Sequence, residues 1–177
     1  YPHLFEAYSF NGQEPKYSAS LLVSKDDKES IAIITKAFEE AFKAGVEKGK
    51  LSAKDKSKIR LPLRDGDADR PDDEVYANCY FINTNSKRAP QVVGRYKDPE
   101  TGKPVELDEE SCYAGCFVNA TITFYAYSVS GNKGIAAGIG NIQKYADGER
   151  LGGAASASSD FDFEEAPEAD LEEDWMN

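Results

Sequence analysis

Apolar and polar residues alternate along Lys16–Val23 (KYSASLLV), with Tyr17, Ala19, Leu21 and Val23 on one side of a period-two pattern, which predicts a strand with one buried face. The period then changes. Ile31, Ile34, Phe38, Ala41 and Phe42 recur at helical spacing behind Asp26 and Asp27, either of which can cap a helix, so a helix is expected over about 27–48. Glu39 and Lys43 stand four apart on it as a favourable pair, and Gly45 and Gly49 supply stop signals near its lysine-rich end. Residues 50–75 lose this periodicity. They carry turn chemistry at Asp65-Gly66 and a helix-hostile Arg70-Pro71 step, and read as a long excursion over the surface.

Alternation returns in Glu74–Thr84, which places Ala77, Cys79 and Phe81 on one face and Tyr76, Asn78 and Tyr80 on the other, a strand with an aromatic, polar outer face. Val92 and Val93 start a short strand that runs into Gly94-Arg95-Tyr96-Lys97 and ends at a turn over Asp98–Gly102. The cleanest pattern spans 116–128. There Cys116, Val118, Ala120, Ile122, Phe124 and Ala126 face one way, and Phe117, Asn119, Thr121, Thr123, Tyr125 and Tyr127 face the other. Gly131–Gln143 is glycine-rich, with Ile135, Ile139 and Ile142 among the glycines, and is expected to form a turn, a curved edge and a short strand or helical turn.

Short strands joined by turns, with one long helix, predict a mainly β fold: a small antiparallel barrel or sandwich. Past Leu151 a small-residue linker leads into acidic low complexity that cannot build a core, so a folded domain over 1–152 and a disordered acidic tail over 153–177 are expected. A length of 177 residues fits one domain with an appendage, and 40% apolar residues exclude wholesale disorder. No apolar run approaches the ~18–20 residues of a membrane span and no signal-peptide pattern opens the chain, so a cytoplasmic protein without a membrane partner is expected.

A net charge of −11 argues at first against a polyanionic ligand. The average conceals a partition. Nine of the 32 acids and none of the 21 bases lie in 160–177, so residues 1–159 hold 23 acids against 21 bases, a net of −2. A near-neutral body carries a strongly acidic tail.

Catalytic signatures are weak. The single histidine, His3, falls in an expected terminal strand, and neither GNKG nor GIG in 131–140 has phosphate-loop spacing. Cys112 and Cys116 lack a second ligand pair for zinc, and the three cysteines are expected as reduced thiols, Cys79 and Cys116 on core faces. The run from Asp65 to Asp69 resembles a calcium loop but has Arg70 where glycine is required and Tyr76 where a bidentate glutamate is required. Neither metal nor cofactor is expected; the acids of this run should pair with Arg64 and Arg70.

What remains suits single-stranded nucleic acid, which needs exposed aromatics for base stacking beside cations that follow the phosphates. Tyr125 and Tyr127 project from the polar face of the best strand, Tyr76 and Tyr80 from another, and Tyr96 is flanked by Arg95 and Lys97. Lys58, Arg60 and Arg64, then Lys87 and Arg88, then Lys133 add basic clusters. The plainer alternative is that the tyrosines pack under loops and the lysines only solubilise. In the tail, Asp170, Glu172, Glu173, Asp174 and Trp175 combine acids with an aromatic end, a pattern fit both to compete for a cationic groove and to dock a partner. Two rivals stay open: an acidic DNA mimic, and a metal-dependent nuclease using the acids of 65–74.

The strings PKYSASLLVSKDDKESIAII (15–34), KIRLPLRDGDADRPDDEVYANCYFINTNSK (58–87), SCYAGCFVNATITFYAYSVSGNKGIAAGIGNIQ (111–143) and DGERLGG (147–153) together resemble the tailed-phage single-stranded DNA-binding proteins. The resemblance covers most of 1–153. It implies an OB-fold, a partly open five-stranded antiparallel barrel, that coats single-stranded DNA without strong sequence preference in phage replication and recombination. It implies no enzymatic activity. It further implies a location in the bacterial host's cytoplasm, recruitment of replication or recombination proteins by the tail, and compatibility with a homo-oligomer.

Overall fold

In the computed structural model the described residues are 2–59 and 61–152. Arg60 and the expected disordered tail, with Asp170, Glu172, Glu173, Asp174 and Trp175, lie outside them. The elements run β1 (His3–Tyr8), β2 (Lys16–Ser24), α1 (Lys28–Glu47), β3 (Arg64–Asp65), α2 (Gly66–Asp69), β4 (Cys79–Ser86), β5 (Val92–Lys97), β6 (Pro104–Glu106), β7 (Phe117–Val129) and β8 (Asn132–Ala146), with 3₁₀ turns at Ala53–Asp55 and Glu74–Tyr76. No helix among them is long and apolar enough to cross a membrane.

The fold is mainly β, but the described residues form eight strands rather than five, and the sheet is mixed rather than wholly antiparallel. Its order is β1-β2-β4-β8-β5-β6, with β3 added on β4 and β7 on β8. Both β4 and β5 run parallel to β8, Asn85 opposite Gly138 and Val92 opposite Ile142. Parallel neighbours need a long crossover, and here β5, β6 and β7 supply it between β4 and β8.

Leu4, Ala19, Val92, Cys112, Ile139 and Ile142 form one buried cluster. Apart from Cys112, which lies between β6 and β7, its members come from β1, β2, β5 and β8, strands spread along the sheet order, so the sheet curls around them like a barrel. A second cluster, Phe38, Phe42, Leu51, Ala126 and Ile135, seats α1 against one end of β7 and β8.

The helix begins as its sequence dictates: Asp27 accepts a hydrogen bond from the Ser30 N–H at 2.9 Å. Its end differs in detail. Gly45 is buried inside the helix, where a methyl group would stand 2.5 Å from the Ala126 Cβ, so this glycine serves close packing rather than termination. The stop follows the Lys48 cap at Gly49, whose φ is +71°. Glu39 pairs with Lys56 at 2.7 Å instead of with Lys43, because the segment after the helix folds back over it.

Of the turn, curved edge and short strand or helical turn expected over Gly131–Gln143, the turn falls at Gly131 and the rest is strand rather than helical turn, most of the long β8 between β7 on one side and β4 and β5 on the other. The ladder partner of Ala120 is Ile142 and that of Ile122 is Ile139, so β8 carries an extra residue between them. That bulge brings Ile139 and Ile142 to the same core although they stand three apart. The strand expected over 74–84 is likewise displaced. Glu74–Tyr76 is a 3₁₀ turn and β4 starts at Cys79, after Asn78 adopts a φ of +53°. Cys112 is the buried thiol, while Cys79 and Cys116 are half-buried; all three are free. Burial is the main cause that pushes the Cys112 and Cys79 thiols up.

Candidate nucleic-acid interface

The outer face of β7 carries Phe117, Asn119, Thr121, Thr123, Tyr125 and Tyr127, all exposed, while Val118, Ala120, Ile122, Phe124 and Ala126 turn inward, as the alternation dictates. Directly across from Tyr127, Tyr125 and Thr123 stand Gly134, Ala136 and Gly138 of β8, and Gly140 lies against Thr121. Large side chains on one strand therefore face small ones on the next. The result is a shallow trough with an aromatic bank, and the Tyr127 ring leans over Gly134: a methyl there would stand 2.6–2.9 Å from its Oη, Cζ and Cε1.

At one end the trough opens into a cleft of about 650 Å³ lined by Lys58, Arg64, Tyr127, Lys133 and Gly134 with Ile59, Leu61, Pro62, Leu63, Ile135, Asp65 and Asp69. Four residues singled out by sequence thus meet around one space. The excursion 50–75 forms the cleft's far wall, and it is held there by β3 pairing with β4. The charge is mixed. Arg64 pairs with Asp69 at 2.8 Å and lies over the Phe81 ring at 4.9 Å, and Lys133 stands 3.7 Å from Asp55. Lys58 has no carboxylate within 4 Å among the described residues.

At the other end, Val93, Asn119, Thr121, Asn141 and Gln143 surround a smaller depression of about 260 Å³. Val93 is the ladder partner of Gln143, and two residues further along both strands the Arg95 guanidinium lies 4.4 Å over the ring of Tyr145 and 5.7 Å over that of Tyr96. Tyr96 is 74% exposed. Lys97 ends β5. Counted along β8 from Gly134 to Tyr145, the strip is about 36 Å long at ~3.3 Å per residue.

Tyr76 and Tyr80 do not share one face of β4. Tyr76 is edge-on to Phe81 at 5.0 Å under Arg70, whereas Tyr80 alternates with Phe81 to the opposite side of β4 and is half-buried beneath the Lys25 ammonium. The helix-like break at 74–78 turned Tyr76 round, which an unbroken alternation could not reveal. Lys87 and Arg88 follow β4; Lys87 pairs with Glu14 at 2.5 Å. Tyr145 was missed by sequence reasoning, and its signal lay in the Gln143/Tyr145 alternation, readable only once β8 is known to be a strand.

The acidic run is occupied from within. Lys25 reaches Asp65 and Asp67, each at 2.6 Å, and these bonds hold both carboxyls below their ordinary range. Asp69 takes Arg64, whereas Arg70 stacks on Tyr76 rather than pairing with an acid. No three metal-ligating side chains gather among the described residues.

Comparison with known proteins places this geometry. The model of the Enterobacter phage Enc34 ssDNA-binding protein family matches residues 1–175. Protein p50 of Acyrthosiphon pisum secondary endosymbiont phage 1 is 33% identical, over 97% of this chain and 92% of its own. Among solved structures, the single-stranded DNA-binding protein from bacteriophage Enc34 in complex with ssDNA is 29% identical, with a TM-score of 0.70 over 86% of this chain and 84% of that one. A C-terminal truncation of the same phage protein is 26% identical, with a TM-score of 0.65 over 85% of this chain and 82% of that one.

Proposed function

The chain belongs to the Enterobacter phage Enc34 ssDNA-binding protein family, and from that premise we propose that it coats single-stranded DNA without strong sequence preference, along the outer face of β7 and β8. One observation carries the reading. Tyr125 and Tyr127 stand exposed on that face, and Tyr127 borders a cleft into which Lys58, Arg64 and Lys133 bring their charges. Stacking needs ring faces but no base edges, so it holds every base alike, and the cations need only phosphates. Tyr145 near the end of β8 and Arg95, Tyr96 and Lys97 on β5 extend the track, while Lys87 and Arg88 follow β4. Tyr76 packs on Phe81, over which the Arg64 of the cleft also lies, while Tyr80 faces the other side of β4. No step of this function is catalytic.

The tail supplies regulation in this reading. Its nine acids compete for the same cations at high effective concentration, and once DNA displaces them the segment Asp170–Trp175 is free to recruit replication or recombination proteins in the host cytoplasm. The test is a titration of fluorescent oligo-dT with the full chain and with a chain lacking 160–177. Binding that weakens with salt, prefers the single strand over duplex and tightens at low salt on tail removal is expected. Salt-independent binding or equal preference for duplex overturns the reading, and absence of any binding favours the DNA-mimic alternative.

A further inference from the structure

Tyr125 and Tyr127 are 45% and 37% exposed on one face of one strand, yet their rings make no contact with each other; the ring pairs among the described residues are His3 with Tyr8 and Tyr76 with Phe81. They lean apart. Tyr127 lies across onto Gly134, its direct ladder partner, whereas Tyr125 reaches diagonally towards Gly138, where a methyl would stand 3.6 Å from its Cε1. Two glycines thus let the rings part, and Ala136 stands between those glycines on β8.

The parting has a meaning. Residues two apart on a strand face are rooted about 6.6–6.8 Å from each other and bases stack at about 3.4 Å, so rings that lean apart from such roots leave room for a base between them. We propose that Tyr125 and Tyr127 hold a single unpaired base between their rings over Ala136, with Gly134 and Gly138 as positioning residues that keep the slot open. This deepens the functional reading given above and rests on it. A base paired in duplex cannot enter without leaving its stack, so the slot also accounts for a preference for the single strand. It differs in kind from independent stacking, in which each ring takes a base on its outward face and the space between them stays empty.

The test uses the full chain and fluorescent oligo-dT at fixed salt. Ala136→Leu fills the slot while leaving both tyrosines in place, and it weakens binding about tenfold or more. Thermal melting of this variant reports folding. A second measurement stands apart from any change at 136. With Tyr125→Ala and Tyr127→Ala, loss of either wall opens the slot, so the double variant binds within about threefold of the weaker single variant; independent stacking predicts the product of the two losses. Undiminished binding by folded Ala136→Leu, or multiplicative tyrosine losses, overturns the slot while leaving the functional reading intact. Failure of the unaltered protein to bind oligo-dT sinks the functional reading itself and the slot with it.

Discussion

Removing Lys58 and Lys133 together tests the cleft as the path of the phosphates. Each phosphate contact to a single strand contributes about 0.7 to the slope of log affinity against log salt, so the double alanine variant should lose about 1.4 from that slope. Between about 50 and 400 mM salt the unaltered protein should therefore lose about twentyfold more affinity than the variant. The structure also ranks the single changes. Among the described residues Lys58 has no carboxylate within 4 Å, Lys133 stands 3.7 Å from Asp55, and Arg64 is held by Asp69 at 2.8 Å, so a phosphate gains most at Lys58 and least at Arg64. Asp55→Asn should act in the opposite direction, freeing Lys133 and steepening the slope. Fluorescence anisotropy of labelled oligo-dT across the salt range measures all of these. An unchanged slope in the double variant would refute the cleft as a phosphate path, however much the affinity at one salt concentration had moved.

Three further outcomes follow from the packing and the ion pairs. A methyl on Gly66 would collide with the carbonyl oxygen of Tyr76 and stand 2.7 Å from that of Cys79, both backbone, so Gly66→Ala should cost about 3 kcal/mol or more in urea unfolding; an unaltered midpoint would contradict it. Ile142 is 1% exposed at the barrel centre, and Ile142→Ala should cost about 2–5 kcal/mol by the same measurement, with less than 1 kcal/mol counting against the core assignment. Asp65 and Asp67 titrate below their unfolded values because Lys25 bonds them, so their contribution is complete above about pH 4 and lost as pH falls through the lowered folded values. Lys25→Ala should accordingly melt earlier than the unaltered protein at pH 7, and the gap should close in acid; a gap that widens on acidification would reverse the sign of the argument.

Elements whose pattern comes from their own residues were legible in the sequence. The strand at Lys16, the helix capped by Asp27 and the strict alternation of β7 each bury one face of a regular period, and the structure returns them within a residue or two. The full length of β8 was not legible, because its outer positions from Gly134 to Gly140 are glycine and alanine and the bulk that completes that face belongs to β7. Its bulge also broke the period at the point where Ile139 and Ile142 enter the core. Tyr125 and Tyr127 were placed correctly since they alternate with a buried series. Tyr76 was misplaced because a 3₁₀ turn held by Asp73 interrupts the strand pattern. The meeting of Lys58, Arg64 and Lys133 around one cleft depends on a loop folding back over a distant hairpin, which period alone does not encode.

The parallel pairing of β4 and β5 with β8 sets an order of assembly during synthesis. Asn85 finds Gly138 some fifty residues later, and Val92 waits as long for Ile142, so the first half of the chain leaves the ribosome with the edge of β4 open. The β7–β8 hairpin, joined by a tight turn at Ser130-Gly131, forms locally and then closes that edge from the far end of the sequence. High separation in sequence between partners slows such a step. The strand that builds the trough is thus also the last piece of the barrel, so a nascent chain acquires its binding face and its stability in the same event.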